Sequence, residues 1–486
     1  MEITTIGYFL IPAGLSALFL SRRALMYGLV LLAPFSASAV VNFSSPTFGL
    51  QPGYLFGVFY IIRATIDHIV KGGGVGIDRT RLKQIIPFWL FVGIAALSIV
   101  AIPLRGFAIV TRPSGVSEPL FLSGQNITQF GYLVFMTTVL TAVATERLRR
   151  DDLKRVLRVF IGAGIFACIW GWFEVSTFLV GGVEYPRFIF NNSVSFAQNV
   201  GTVFSLVGIR RISSIAAEPS MLARFLLVPC FIVIYDYFRG GVLYAKQTSL
   251  GFSILFVLTL LACASSTGYV GLAAGFGGLV LLSTRDRVRS FLQPEAIRRL
   301  LIAAGGTLTL GLFFLGIAIL AARTILGLSF SDMYTLFDIL VLSKLESGSA
   351  STRIGGGLQA LELWSKFSFF GAGWGSHRSF DLITYVLGNT GLIGFLVFAY
   401  SHVNVMKKGL STGWHLDVNE GDPRGPILRS VVLGVGVMLF AKSVAEPDII
   451  YLDQWILLGV LITGASAGER QLRASMRGKA IAAGSN

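Results

Sequence analysis

Long apolar runs separated by short polar stretches set the pattern of this chain. A helix that crosses a bilayer needs about 20 apolar residues, or about 17 at the short end. Runs of that kind fall near 3–20, 24–41, 51–70, 84–103, 127–145, 159–180, 220–238, 248–264, 268–283, 300–322, 380–406, 428–442 and 454–468. The apolar stretch 248–283 is too long for one helix, and the SSTG sequence from Ser265 to Gly268 supplies a turn that divides it. The pattern predicts an all-α integral membrane protein of about 13 transmembrane helices, within a range of about 11–14. Two stretches between spans are long. They divide the chain into N-terminal helices (1–180), a first long loop (181–219), central helices (220–322), a second long loop (323–379), C-terminal helices (380–468) and a tail (469–486). Both long loops are expected to hold short helices. Leu358, Leu361, Leu363 and Trp364 predict one after Arg353, lying at the interface where Trp prefers to sit. Gly327–Lys344 reads either as an amphipathic helix resting on the membrane surface or as an ordinary packed loop helix.

Composition narrows the class. Of 486 residues, 54% are hydrophobic and 13% charged, whereas a soluble domain carries roughly 25% charge. A soluble multi-domain enzyme, a disordered scaffold and an ordinary DNA-binding protein are excluded. The net charge of +15 has a membrane explanation, because Lys and Arg collect in cytoplasmic loops, so no nucleic-acid partner is expected. Alternating the loops from an outside N-terminus places 27 basic residues on the inner side and 10 on the outer side, with Arg63, Arg224 and Lys442 in or at the edges of spans. The N-terminus is therefore expected outside and the C-terminus in the cytoplasm. Glu2 replaces the basic start of a signal peptide, so the first span is expected to be retained. Cys168, Cys230 and Cys263 lie in apolar runs and read as core residues.

The two long outer loops hold eight of the ten outer basic residues. An anionic ligand at that face explains the excess; the alternative is that long loops escape the charge rule. In the first loop, GIRRISSIAAEPSMLARF (Gly208–Phe225), Pro219 suits the first turn of a helix whose N-terminus faces outward. Arg210, Arg211 and Arg224 cluster about that end. Arg224 lies one turn inside the span, where a charge costs about 2.5–3.5 kcal/mol on insertion scales. Glu218 is either the ion-pair partner of Arg224 or a carboxylate that orients or deprotonates a hydroxyl. In the second loop, Arg353 opens the interfacial segment, and Gly371–Ser376 (GAGWGS) reads as a flexible turn. His377 and Arg378 follow, and Ser379 is suited to cap the next span. Arginines on two loops, each beside an outward helix N-terminus, suit a phosphate-rich headgroup, with each charge-assisted bond worth about 1.5–3 kcal/mol. Glu446, Asp448 and Asp453 in the last outer turn are expected to pair with Lys442 or with arginines, a catalytic role being the lesser alternative. No acidic or histidine motif with metal-ligand spacing occurs on the outer side, so no metal is expected. The Gly72–Gly76 run lacks the Lys-Ser/Thr of a phosphate loop.

The segments IAAEPSMLARF, STRIGGGLQALELWSKFSFFGAGWGS and NTGLIGFLVF together resemble the O-antigen polymerase and ligase superfamily over roughly Arg210–Phe398. The first 200 residues are similar only in hydropathy. The resemblance implies a GT-C-like enzyme of the bacterial inner membrane. Its active site would face the periplasm and act on undecaprenyl-pyrophosphate-linked oligosaccharide without a cofactor. The ligases carry a His-Asn type pair eleven residues before the glycine of the TGLIG-like segment; here Phe380 and Asp381 stand there. That departure favours a Wzy-type polymerase of an O-antigen or exopolysaccharide, working with a chain-length regulator protein. By resemblance Arg353 would contact pyrophosphate, with Arg378, Arg211 and Glu218 completing the site; Glu218 is the first choice as base and His377 the second.

Overall fold

The computed structural model describes residues 1–44, 47–70, 78–112, 115–179, 186, 188–192, 203–204, 209–285 and 348–484. The predicted span 300–322 and the segment Gly327–Lys344 lie outside them. The described chain is mostly helical: α1 (Thr5–Leu20), α2 (Arg22–Leu32), α3 (Pro52–Val70), α4 (Arg79–Val100), α5 (Gly124–Ala144), α6 (Arg150–Leu179), α7 (Pro219–Phe238), α8 (Lys246–Ala262), α9 (Ser266–Arg285), α10 (Gly348–Lys366), α11 (Leu382–Glu420), α12 (Arg424–Ala445) and α13 (Leu452–Gly484). Seven of these, α3 to α7, α11 and α12, are long and apolar enough to cross a membrane, while α1, α8 and α9 are apolar but shorter. The chain is a multi-pass helical membrane protein. Helix α7 is the most enclosed, packed against α8, α9 and α12, and even its polar Arg224 is buried.

The apolar pattern misjudged the second span. Helix α2 stops at Leu32 instead of continuing to 41, because Pro34 cannot continue it. Residues 33–40 are buried, apart from half-buried Phe35, without being helical, and neighbouring segments supply partners to their backbone. Ala37 N–H donates to the Ile215 carbonyl at 3.1 Å and its carbonyl accepts from Asn192 N–H at 3.1 Å, while Ala39 N–H donates to Asn191 Oδ1 at 2.9 Å. Irregular backbone at membrane depth survives only where protein supplies such partners.

Short strands and polar contacts occupy the two ends of the bundle. At one end β1 (Glu2–Ile3) pairs with β2 (Val41–Ser44), and β2 pairs with β3 (Thr47–Leu50), all antiparallel. The hairpin of β4 (Ile109–Thr111) and β5 (Ser117–Pro119) meets the chain at His377, and β6 (Val203–Phe204) pairs with β7 (Ile209–Arg210). Tyr54 donates to the Ile450 carbonyl at 2.7 Å on the same side. At the other end Arg22 pairs with Glu146 at 2.6 Å, Tyr60 donates to Glu146 at 2.7 Å and Arg81 donates to the Glu146 carbonyl at 2.9 Å. Arg239 and Arg429 pair with Asp417, and Lys408 with Glu469. In these contacts predicted outer segments meet one another, and residues near the predicted inner loops meet one another.

The GAGWGS segment is a buried wedge, not a flexible turn. Helix α11 breaks at Gly391, whose φ is 68°, and a Cβ there would lie 2.3 Å from the Phe369 carbonyl carbon. Into this break the chain inserts its own backbone. Ala372 and Gly373 N–H donate to the Gly388 and Asn389 carbonyls at 2.7 and 3.0 Å, and Leu392 N–H donates to the Ser368 carbonyl at 2.8 Å. Trp374, 1% exposed, meets Phe91 and Tyr385 edge-on. Asn126 Nδ2 donates to the Trp374 carbonyl and to Ser376 Oγ, both at 2.8 Å.

Candidate functional site

Helix α7 begins at Pro219 with Glu218 at its N-cap position, as its sequence predicts. One turn further in, Arg224 is 2% exposed. Its Nη1 donates to both oxygens of Asp453 at 3.1 and 2.8 Å, and its Nε lies 3.5 Å from Glu446. The guanidinium sits 3.8 Å from the centroid of the Tyr451 ring. Asp453 and Glu446 are therefore the ion-pair partners of Arg224, in place of the Glu218 pairing that sequence proximity suggested. The acids of the last outer turn do pair with an arginine, as expected.

A second buried row runs beside this pair. Lys442 Nζ donates to Gln454 Oε1 at 2.7 Å. The Gln454 amide nitrogen then faces His402 Nε2 at 3.0 Å, and His402 Nδ1 faces the Phe398 carbonyl at 2.9 Å. An amide N–H can only donate, so Nε2 accepts and Nδ1 carries the hydrogen. Lys442, Gln454 and His402 are all nearly without exposure, and ionisable groups inside membrane helices are rare enough to point to function.

Glu446 stands where these elements meet, just after the last turn of α12. It is 6% exposed, and neither carboxylate oxygen completes a hydrogen bond of normal geometry. Burial pushes its carboxyl up to about 7; Arg224, Lys442 and the nearby Tyr451 hydroxyl act in the other direction, and Asp448 adds to the rise. Burial likewise pushes the Tyr451 phenol upward.

Four of the sequence-predicted residues gather around this centre besides Arg224. Arg211 Nε donates to the Cys263 carbonyl at 3.1 Å and is in electrostatic reach of Glu218 and Arg353; burial pulls its guanidinium downward. Arg353, on α10, places Nη1 3.5 Å from the carbonyl of Ala445, the residue before Glu446. Glu218 accepts from Ser220 Oγ at 3.2 Å and is in electrostatic reach of Tyr451. Arg378 lies over the Phe380 ring at 5.4 Å, and Tyr385 is in reach of both Arg378 and Asp448. Arg224 and Arg353 thus meet the segment 446–453 or its edge directly, Arg211 lies beside Arg353 and Glu218, and Arg378 neighbours Tyr385.

Two predicted residues do not join them. Arg210 ends strand β7, and its side chain lies outside the described residues. His377 turns inward: its Nδ1 accepts from Thr111 N–H at 3.2 Å, which leaves Nε2 to donate to the Gly356 carbonyl at 3.0 Å. Asn389 brackets its backbone, accepting from His377 N–H at 2.9 Å and donating to its carbonyl at 2.8 Å. Burial pulls the imidazole pKa down. With both ring nitrogens engaged, His377 is built as a neutral tie between the hairpin and α10, and the structure offers it no proton to accept. Sequence reasoning missed the central position of Glu446 and Tyr451. The available signal was four charged residues, Lys442, Glu446, Asp448 and Asp453, in an otherwise apolar stretch, with Arg224 one turn inside α7 in want of a countercharge.

Comparison with known protein families and with curated proteins finds no match.

Proposed function

We propose that the chain is a glycosyltransferase of the bacterial inner membrane, a polysaccharide polymerase working at the periplasmic face. It transfers a growing glycan from undecaprenyl pyrophosphate to the terminal sugar of a new lipid-linked repeat. The supporting observation is that Arg224 pairs with the buried acids Asp453 and Glu446, while Arg353 reaches the carbonyl just before Glu446 and lies in electrostatic reach of Arg211. A pyrophosphate needs several cations, and guanidinium forks bind its oxygens in pairs. The hydroxyl of the acceptor sugar attacks the anomeric carbon on the face opposite the leaving group, so configuration inverts. Negative charge then grows on the departing pyrophosphate, and prearranged cations lower the barrier at that point. Arg211 and Arg353 take the pyrophosphate, Glu218 orients the acceptor hydroxyl, and no metal or cofactor is required. The excess of basic residues in the loops of the other end supports a cytoplasmic side there, with the N-terminus outside and the C-terminus inside. A chain-length regulator is the expected protein partner.

A second reading has one observation in its favour. The row Lys442–Gln454–His402 lies inside the helices, where a transporter of lipid-linked oligosaccharide would carry its charges. A ligase that passes the same glycan to another acceptor is the third. Purified protein supplied with lipid-linked repeat in vesicles separates them: a polymerase lengthens the glycan, a ligase moves it to a different acceptor, and a transporter changes its leaflet without changing its length.

A further inference from the structure

We propose that Glu446 accepts the proton of the attacking hydroxyl; the assignment rests on the glycosyltransferase reading. The other acids at the site have their oxygens committed or stand outside its buried centre. Asp453 is held by both oxygens on Arg224. Glu218 accepts from Ser220 at the rim. Asp448 is half-buried, further along the segment toward Tyr385 and Arg378. His377 has no vacant nitrogen. Glu446 alone among these combines deep burial with two carboxylate oxygens that complete no hydrogen bond of normal geometry, its neighbours being Arg224 Nε at 3.5 Å and the Tyr451 hydroxyl. A buried carboxylate left in that state is costly, and a sugar hydroxyl delivered between Arg353 and Arg224 would satisfy it.

The step balances without a further reactant. The acceptor oxygen forms a bond to the anomeric carbon as the bond from that carbon to the pyrophosphate oxygen breaks. The electron pair stays on the pyrophosphate, whose charge the arginines carry, and the hydroxyl proton passes to Glu446. The proton leaves to solvent when product departs. Among the described residues, the charged or titratable groups around Glu446 are Arg224 from α7, Lys442 from α12, and Asp448 with Tyr451 from its own segment; Asp453 of α13 reaches it through Arg224 and Arg353 of α10 through the Ala445 carbonyl.

The test is the pH dependence of turnover by the full-length protein in vesicles, comparing wild type, E446Q and E446D, with thermal unfolding to confirm that each is folded. A base must be deprotonated to act, so wild-type turnover should rise about tenfold per pH unit on the acid side of this carboxyl's titration, which burial moves above the range of an exposed glutamate, and then level off. E446Q should lose that rising limb and turn over about 10²–10⁴-fold more slowly, with KM for the donor unchanged. E446D should keep the limb at reduced turnover, and it decides the matter if E446Q does not fold. Wild-type turnover flat with pH, or E446Q within tenfold of wild type, overturns the assignment while the glycosyltransferase reading stands. Wild type that forms no glycosidic product overturns that reading itself.

Discussion

Breaking the Arg224–Asp453 pair tests the structural core of the site. Both side chains are 2% exposed and meet at 2.8 and 3.1 Å. Asp453→Asn keeps the shape and removes the countercharge, and breaking a buried pair by removing one partner costs about 3–5 kcal/mol. Glu446, 3.5 Å away on the other side of the guanidinium, still offsets part of the stranded charge, which puts the loss near the lower figure. Unfolding entropy of roughly 2.1 cal/mol/K per residue over 486 residues amounts to about 1 kcal/mol/K, so the Tm in detergent should fall by about 3 °C. Replacing both partners, Arg224→Met with Asp453→Leu, removes the desolvation cost together with the attraction and should return the Tm to within about 1–2 °C of wild type. Transfer activity should not return, because Arg224 also holds Glu446. Differential scanning fluorimetry of the single and double variants reads the result. An Asp453→Asn protein with an unchanged Tm would refute the pairing, and a double variant with full activity would make the pair purely structural.

Arg353→Ala should raise KM for the lipid-linked donor by about 10–100-fold, the loss of one charge-assisted contact, with initial rates as the measurement. Asn389→Ala removes the bonds to both backbone groups of His377 and to the Tyr385 carbonyl; orphaned buried groups cost about 1–3 kcal/mol each, and the Tm should drop by about 3 °C or more by the same conversion. Gly391→Ala should give no folded protein on size-exclusion chromatography, since its φ of 68° and the Phe369 backbone leave no place for a Cβ. His377→Ala should lower stability but leave the rising limb of the pH–rate profile in place; a vanished limb would return the proton-accepting role to His377.

The helices were legible in the sequence because the bilayer imposes a length, and the predicted spans within the described residues fall on helices except for the second half of the second span. What composition conceals is backbone satisfied from far away. Residues 33–40 look like the second half of a span, yet Pro34 ends the helix and partners near 191 and 215 replace its hydrogen bonds. GAGWGS looks like a loose loop until the break at Gly391 gives it a place to dock. The charged side chains follow the same division. That Arg224 needed a countercharge was evident from its depth, but the nearest acid in sequence, Glu218, is not the one used. Asp453 is 229 positions away, and only the packing of α7 against the end of α12 and the start of α13 brings it there. His377 illustrates the converse. A histidine beside an arginine reads as chemistry, and the third dimension supplies a backbone donor on one ring nitrogen and an acceptor on the other.

The central claim is that the arginines at and beside segment 446–453 serve transfer of a lipid-pyrophosphate-linked glycan. The direct measurement is reconstitution of the purified protein with its lipid-linked repeat, with and without EDTA and beside an Arg353→Ala control, the products separated by length. The account predicts a ladder of lengthening glycans, unaffected by EDTA and strongly weakened at limiting donor in the control. Glycan that changes leaflet at constant length, with no new glycosidic bond, would contradict it.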